Sequence, residues 1–142
     1  MSDADARRKR IQRAWEAAWD RGDVDALDDL LSPDYRRHES AGAVHSLDQF
    51  KASILSTRSA FPDLTTVIDE IIIEDDRVAI RWHSTGAHEH PFLGVPATHR
   101  SVAVNGVNFA LFDGDLIVEE SVTWDPRALL TALGIISVGQ DG

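Results

Sequence analysis

Residues 46–83 read SLDQFKASILSTRSAFPDLTTVIDEIIIEDDRVAIRWH, and inside this stretch the chain changes from helical to extended character. Ser46-Leu47-Asp48-Gln49 has the S-x-x-Q spacing of a capping box, so a helix starts there. Leu47, Phe50, Ile54 and Phe61 give it an apolar inner side. Pro62 marks its end, because the residue before a proline is pushed out of the helical region. Val67 to Glu74 is then rich in β-branched residues, and Asp75-Asp76 supplies a turn. Val78, Ile80 and Trp82 alternate with Ala79, Arg81 and His83, which is a strand with one buried face.

Working back towards the N-terminus, Ile11, Trp15 and Trp19 recur every four residues with Ala14 and Ala18 beside them. That is one face of a helix. Gly22 ends it, Asp23 is placed to cap a second helix faced by Ala26, Leu27, Leu30 and Leu31, and Ser32-Pro33 stops that helix. Tyr35 to His38 reads as a short extended piece. Towards the C-terminus, a loop rich in proline and glycine runs from His88 to Arg100. Val102 to Phe112 is a strand, Asp113-Gly114 is a hairpin signal, and Ile117 to Trp124 is the last long strand. Asp125-Pro126 opens a short helix carrying Leu129, Leu130 and Leu133, and Gly134 closes it. Helices followed by hairpin-linked strands define an α+β fold: a curved, antiparallel or mixed sheet packed as a cone on three N-terminal helices, with a short C-terminal helix. The open mouth of such a cone is a natural small-molecule site.

The chain has 142 residues, enough for one domain over residues 1–142, with residues 1–8 and 135–142 expected to be loosely held. A net charge of −10 argues against nucleic acid as a partner, since phosphate binding needs a basic surface. The one basic cluster, Arg7 to Arg10, reads as a solvated helix start. There is no cysteine, so disulfides and thiolate sites are excluded. No stretch is apolar enough to span a bilayer, and no signal-peptide pattern follows the basic run, so the expected location is the cytoplasm. Apolar residues on both parities of the strands, such as Ile71, Ile72 and Ile73, predict surplus apolar area on the outer sheet face and hence a homodimer.

The ordered set of motifs resembles the SnoaL-like polyketide cyclases of the nuclear transport factor 2-like superfamily. It comprises Trp15…Trp19…Gly22-Asp23, Asp34-Tyr35…His38, Phe61-Pro62-Asp63-Leu64, Gly86-Ala87-His88, Phe92-Leu93-Gly94-Val95-Pro96, Thr98-His99-Arg100, Asp113-Gly114, Trp124-Asp125 and Leu129-Leu130…Leu133-Gly134. The resemblance implies an enzyme that closes a ring in a hydrophobic chain, by aldol-type acid/base chemistry or by a cycloaddition templated by the cavity, with no metal or organic cofactor. It also implies an aspartate acid/base at the end of the last long strand, where Asp125 falls. Ser121 stands where the family often has a tryptophan, His90 where it has a glycine, and the strand Val107 to Leu111 lacks the histidine that assists in some relatives.

The candidate catalytic residues are Asp125 and His38. The candidate substrate contacts are Tyr35, Trp15, Trp19, Phe61, Trp82, His88, Phe92, Asn108 and Ser121, with Asn108 or Ser121 placed to stabilise an enolate oxygen. Competing structural readings are named beside them. Asp followed by Pro is a good N-cap, His38 can be a satisfied structural histidine, and most of the aromatics can be plain core. His88-Glu89-His90 could hold a metal only with a third ligand, for which no pattern is present. His83 is expected on the outer face with Arg81. Two alternative activities use the same fold. Epoxide opening would need an Asp-Arg-Asp set such as Asp69, Arg81 and Asp125, and an isomerase would need Tyr35 as donor. A ligand-binding module without chemistry is the third reading.

Overall fold

The computed structural model describes residues 3–135. Helix α1 covers Asp3–Trp15 and runs directly into a π-helical turn, Glu16–Asp20. Ile11, Ala14 and Trp15 are buried, and Trp19 packs against the same core, as the four-residue spacing predicts. Gly22 leaves the turn at φ +74, a conformation that costs glycine little.

The expected second helix is corrected by the structure. Val24–Asp29 is a 3-10 helix, Asp23 makes no side-chain cap bond, and Leu31 already begins strand β1, Leu31–Glu39. The segment is short and holds Asp25, Asp28 and Asp29, poor formers of helix interiors. Leu27 and Leu30, both buried, stand three apart, which suits the three-residue turn of this tighter helix. Ser32-Pro33 thus lies within a strand.

Strand β2, Val44–Ser46, leads into α2, Leu47–Ala60. The capping box is formed: Gln49 N–H donates to Ser46 Oγ at 3.2 Å and Ser46 N–H donates to Gln49 Oε1 at 2.8 Å. The remaining elements are β3 (Thr65–Glu74), β4 (Arg77–Ala87), β5 (Ser101–Asp113), β6 (Leu116–Trp124) and α3 (Pro126–Ala132). The strands form one curved, unclosed sheet in the order β2-β1-β6-β5-β4-β3. Among the described residues only the β1–β6 pairing is parallel.

The pairing is irregular at three places, one of them in β1–β6 between Leu31 and Arg36, and the other two bear on which side chains of β3 and β6 point inward. Pairing of β3 with β4 shifts between Ile68 and Glu70, so Ile68, Ile71 and Ile73 face the core while Ile72 is 56% exposed. Pairing of β5 with β6 shifts between Leu111 and Phe112, so that Ile117 and Glu120 are both buried. An extra residue in one strand restarts the alternation at the opposite parity. The inner face carries Val78, Ile80, Ala110, Phe112 and Ile117 against α1 and α2. A second apolar cluster joins Ala60, Phe61, Leu64 and Val102 to Leu129 and Leu133 of the C-terminal segment. Of the ends expected to be loosely held, residues 1–2 and 136–142 lie outside the described residues.

Candidate active site

Between the inner sheet face and α2 lies a cavity of about 400 Å³, within the usual range for small-molecule sites. The N-terminal helical segments and α2 contribute aromatic wall: Trp15 from α1, Trp19 from the π turn and Phe50 from α2. Trp82 and Trp124 come from β4 and β6, and Phe61 and Phe92 close one end. Trp15 and Trp82 are in tilted contact at 6.5 Å, Trp19 meets Phe50 edge-on at 6.1 Å, and Phe61 meets Phe92 edge-on at 5.3 Å. Such offsets let the negative ring face meet a positive edge. Leu93, 83% exposed at φ +51 in the turn that pairs Phe92 with Val95, also touches the cavity.

One wall is polar. Tyr35, Arg37 and Glu39 alternate along β1 and point inward. Arg37 and Glu39 line the cavity, together with His45 and the hydrogen-bonded hydroxyls of Thr66 and Ser84. Behind them sits Glu120, buried, which accepts from Tyr35 Oη at 2.5 Å, from Arg37 Nη1 at 3.1 Å and from Asn108 Nδ2 at 2.9 Å. Asn108 Oδ1 accepts in turn from Trp82 Nε1 at 2.8 Å. The chain of bonds therefore has one direction, from the indole through the amide to the carboxylate. The guanidinium also lies 4.0 Å above the Phe50 ring. Burial acts to lower the Arg37 pKa, but Glu120, Tyr35 and Glu39 outweigh it and hold the group above its ordinary value. Burial, aided by the Glu120 charge, pushes the Tyr35 phenol well above its ordinary value, so it stays a proton donor.

Of the candidate substrate contacts, Trp15, Trp19, Phe61, Trp82 and Phe92 line the cavity wall. Tyr35 and Asn108 are fully buried one layer behind it and act on it through Glu120 and Trp82. His88 is also fully buried, stacked at 5.3 Å on Phe61, and accepts at Nδ1 from Thr98 N–H.

Beyond Tyr35, His88 and Asn108, which are buried behind the wall, three further expected residues do not line the cavity. His38 has the parity opposite to Tyr35 and Arg37 and pairs in register with Ser121. Ser121 borders a shallow hollow of about 590 Å³ on the outer sheet face, with Phe109 and Ile72. Asp125 is exposed, and its Oδ1 accepts from Arg127 N–H at 3.0 Å and Ala128 N–H at 3.2 Å, a helix cap. Asp69 and Arg81 are 3.8 Å apart, with His83 Nδ1 at 2.8 Å from Asp69, and none of the three lines the cavity.

Arg37, Glu39 and Glu120 escaped the sequence reading, although the signal was present. Once Tyr35 to His38 is extended, the two-residue period puts Arg37 and Glu39 with Tyr35 and sends His38 outward. Counting back by twos from Trp124 reaches Val122 and Glu120 and passes over Ser121.

The sequence model of the SnoaL-like polyketide cyclases matches residues 9–133. The chain belongs to that family. Among solved structures it is similar to AclR from Streptomyces galilaeus, a candidate hydroxylase, at 30% identity and a TM-score of 0.80, covering 92% of this chain and 98% of that one. It is similar to TsrD from Streptomyces laurentii at 26% identity and a TM-score of 0.84, covering 96% and 99%. IdmH from Streptomyces antibioticus, a candidate polyketide cyclase, gives 26% identity and a TM-score of 0.78 over 90% and 98%. None of the curated proteins compared with the chain matches it. No helix among the described residues is long and apolar enough to cross a membrane.

Proposed function

We propose that this chain is a ring-closing enzyme of natural-product biosynthesis that folds a hydrophobic, polyketide-like chain inside the aromatic cavity and joins two of its carbons in an aldol-type step. The observation that carries this reading is the cavity itself: indole and phenyl walls with the charged pair Arg37 and Glu39 presented by β1. Flat aromatic walls gain by burying apolar area, roughly 25 cal/mol per Å². Holding two reacting carbons near contact removes entropy from the barrier, worth up to about 7–11 kcal/mol in ideal cases. The step moves protons and electron pairs within one molecule, so it calls for no metal or organic cofactor. The test is a panel of planar polyketides and linear polyketide precursors, followed by tryptophan fluorescence and by chromatography of the products. Quenching together with a ring-closed isomer of unchanged mass supports the reading. A panel that leaves the fluorescence unchanged overturns it.

The likeness to AclR favours a second reading, hydroxylation. Labelled dioxygen appearing in the product would select it over ring closure.

We further propose that two copies pair through the outer sheet face. Ile72 and Phe109 are 56% and 59% exposed there, beside Leu111, and the flanking Glu74, Arg77 and Glu119 offer both charges to a copy related by a two-fold axis. Light scattering at micromolar concentration should give twice the 15.7 kDa of one chain, and a pure monomer would refute the pairing.

A further inference from the structure

Arg37 and Glu39 stand two apart on one face of β1 and share a bond, Arg37 Nε to Glu39 Oε1 at 3.3 Å. The other ends of the guanidinium and the carboxylate are arranged differently. Nη1 is occupied by Tyr35 Oη at 3.2 Å and Glu120 Oε1 at 3.1 Å. Among the described residues nothing accepts from Nη2 and nothing donates to Glu39 Oε2. The one fully enclosed side-chain nitrogen or oxygen without a partner in that set is His88 Nε2. Arg37 Nη2 and Glu39 Oε2 are therefore open to solvent or to the cavity that both residues line. A charged donor and a charged acceptor thus stand side by side at an aromatic wall, fixed by a strand and by the buried Glu120.

We propose that Arg37 and Glu39 are the catalytic pair of this site, Glu39 as the base that takes a proton from the carbon beside a ketone and Arg37 as the donor that holds the resulting enolate oxygen. This assignment rests on the ring-closing reading above and replaces Asp125 as its acid/base group. As Glu39 takes the proton, the C–H electron pair becomes the C=C bond of the enolate, the C=O π pair moves onto the oxygen, and Arg37 Nη2–H meets the charge formed there. The enolate carbon then attacks a second carbonyl of the same chain. One C–C bond forms, one C=O π bond opens to an alkoxide, and Glu39 returns the proton to that alkoxide. The product is an isomer of the substrate, and no oxidant or water is consumed. A general base positioned in this way contributes on the order of 10²–10⁴-fold.

The experiment uses 2-acetonaphthone, a neutral aromatic ketone small enough for the cavity, in D2O. Tryptophan fluorescence reads its binding, and proton NMR reads deuterium entering its methyl group. The parent protein should bind it and accelerate exchange. Glu39→Gln should bind it as tightly and lose the acceleration, by on the order of 10²-fold or more. Arg37→Lys should lower exchange by on the order of 10²-fold, since an ammonium cannot hold Glu120, Tyr35, Glu39 and the oxyanion in one plane. Glu39 is partly exposed, so its variant keeps the fold even where an Arg37 variant does not. Binding without exchange in the parent, exchange unaffected by Glu39→Gln, or loss of exchange in Asp125→Asn alone would each overturn the pair while leaving the cavity reading in place. Absence of binding by the parent would overturn the cavity reading, and the pair with it.

Discussion

Replacing Glu120 by glutamine is the substitution that best measures how the polar wall is held. The change is nearly isosteric, but the network is directional. Glu120 receives three hydrogen bonds, from Tyr35, Arg37 and Asn108, and donates none. With its oxygen kept towards Tyr35 and Arg37, a Gln amide would point an N–H at Asn108 Nδ2–H. Flipping Asn108 does not help, because its oxygen already accepts from Trp82 Nε1. Turning the Gln amide round would set its NH2 against the guanidinium. The variant therefore loses the buried charge pair and leaves at least one donor facing another. Removing one partner of a buried ion pair costs about 3–5 kcal/mol. One acceptor survives on the Gln carbonyl, so the lower end, about 3 kcal/mol, applies. At about 2–4 °C per kcal/mol, the melting temperature should fall by roughly 6–12 °C. Thermal melts followed by circular dichroism read the loss, and tryptophan emission reads release of the Trp82 indole. A melting temperature within about 2 °C of the parent would refute the reasoning, because the Glu120–Arg37 pair would then contribute nothing net.

Tyr35 is the only tyrosine, so ultraviolet titration reads it alone: the folded protein should show no ionisation near pH 10, the value for an exposed phenol. Its folded-state pKa is raised, so its stabilising contribution is complete below pH ~10 and falls above it at about 1.4 kcal/mol per pH unit as the unfolded chain ionises. Tyr35→Phe should flatten that alkaline slope in denaturant melts, and an unchanged slope would contradict the assignment. Asp125→Asn should keep the α3 cap and change stability by a few tenths of a kcal/mol, whereas Asp125→Ala should cost about 1 kcal/mol in urea unfolding. A Cβ at Gly106 would lie 2.5 Å from Trp82 Cζ2 and 2.7 Å from the Thr123 carbonyl oxygen. Gly106→Ala should therefore cost about 1–3 kcal/mol and weaken ligand quenching as Trp82 shifts into the cavity. A variant as stable as the parent, with the same affinity, would show that the indole has room to move.

Much of the fold was legible in the sequence because its signals are local. The capping box at Ser46, Pro62 after Phe61, the Asp75-Asp76 turn and the Asp113-Gly114 hairpin each depend on a few adjacent residues, and each stands where it was read. The side of the sheet that Trp15, Trp19 and Trp82 take was legible too, since each carries a helical or strand period; that this side holds a cavity was not. The 3-10 segment and β2 were harder. Val24–Asp29 follows a spacing of three that a short run of leucines does not distinguish from an α-turn, and three residues at Val44–Ser46 are too few for any period.

The polar wall belongs to the tertiary structure. Tyr35, Arg37, Asn108 and Glu120 come from three strands, and β1 meets β6 in a parallel pairing that no hairpin announces. Register alone brings Arg37 to Glu120 and sends His38 to Ser121, because one residue of slip moves every side chain to the other face. The restart between Leu111 and Phe112 works in the same way on β6, where it lets Ile117 and Glu120 share the interior. For Asp125 the local signal, a carboxylate before Pro126, predicted the cap that its Oδ1 makes at α3. By itself the sequence determined the α+β fold and the order of helices and strands that makes the cup, whereas its volume of about 400 Å³ comes from the packing. Which charged groups face into the cup was decided by strand register, a property of pairings made far apart along the chain.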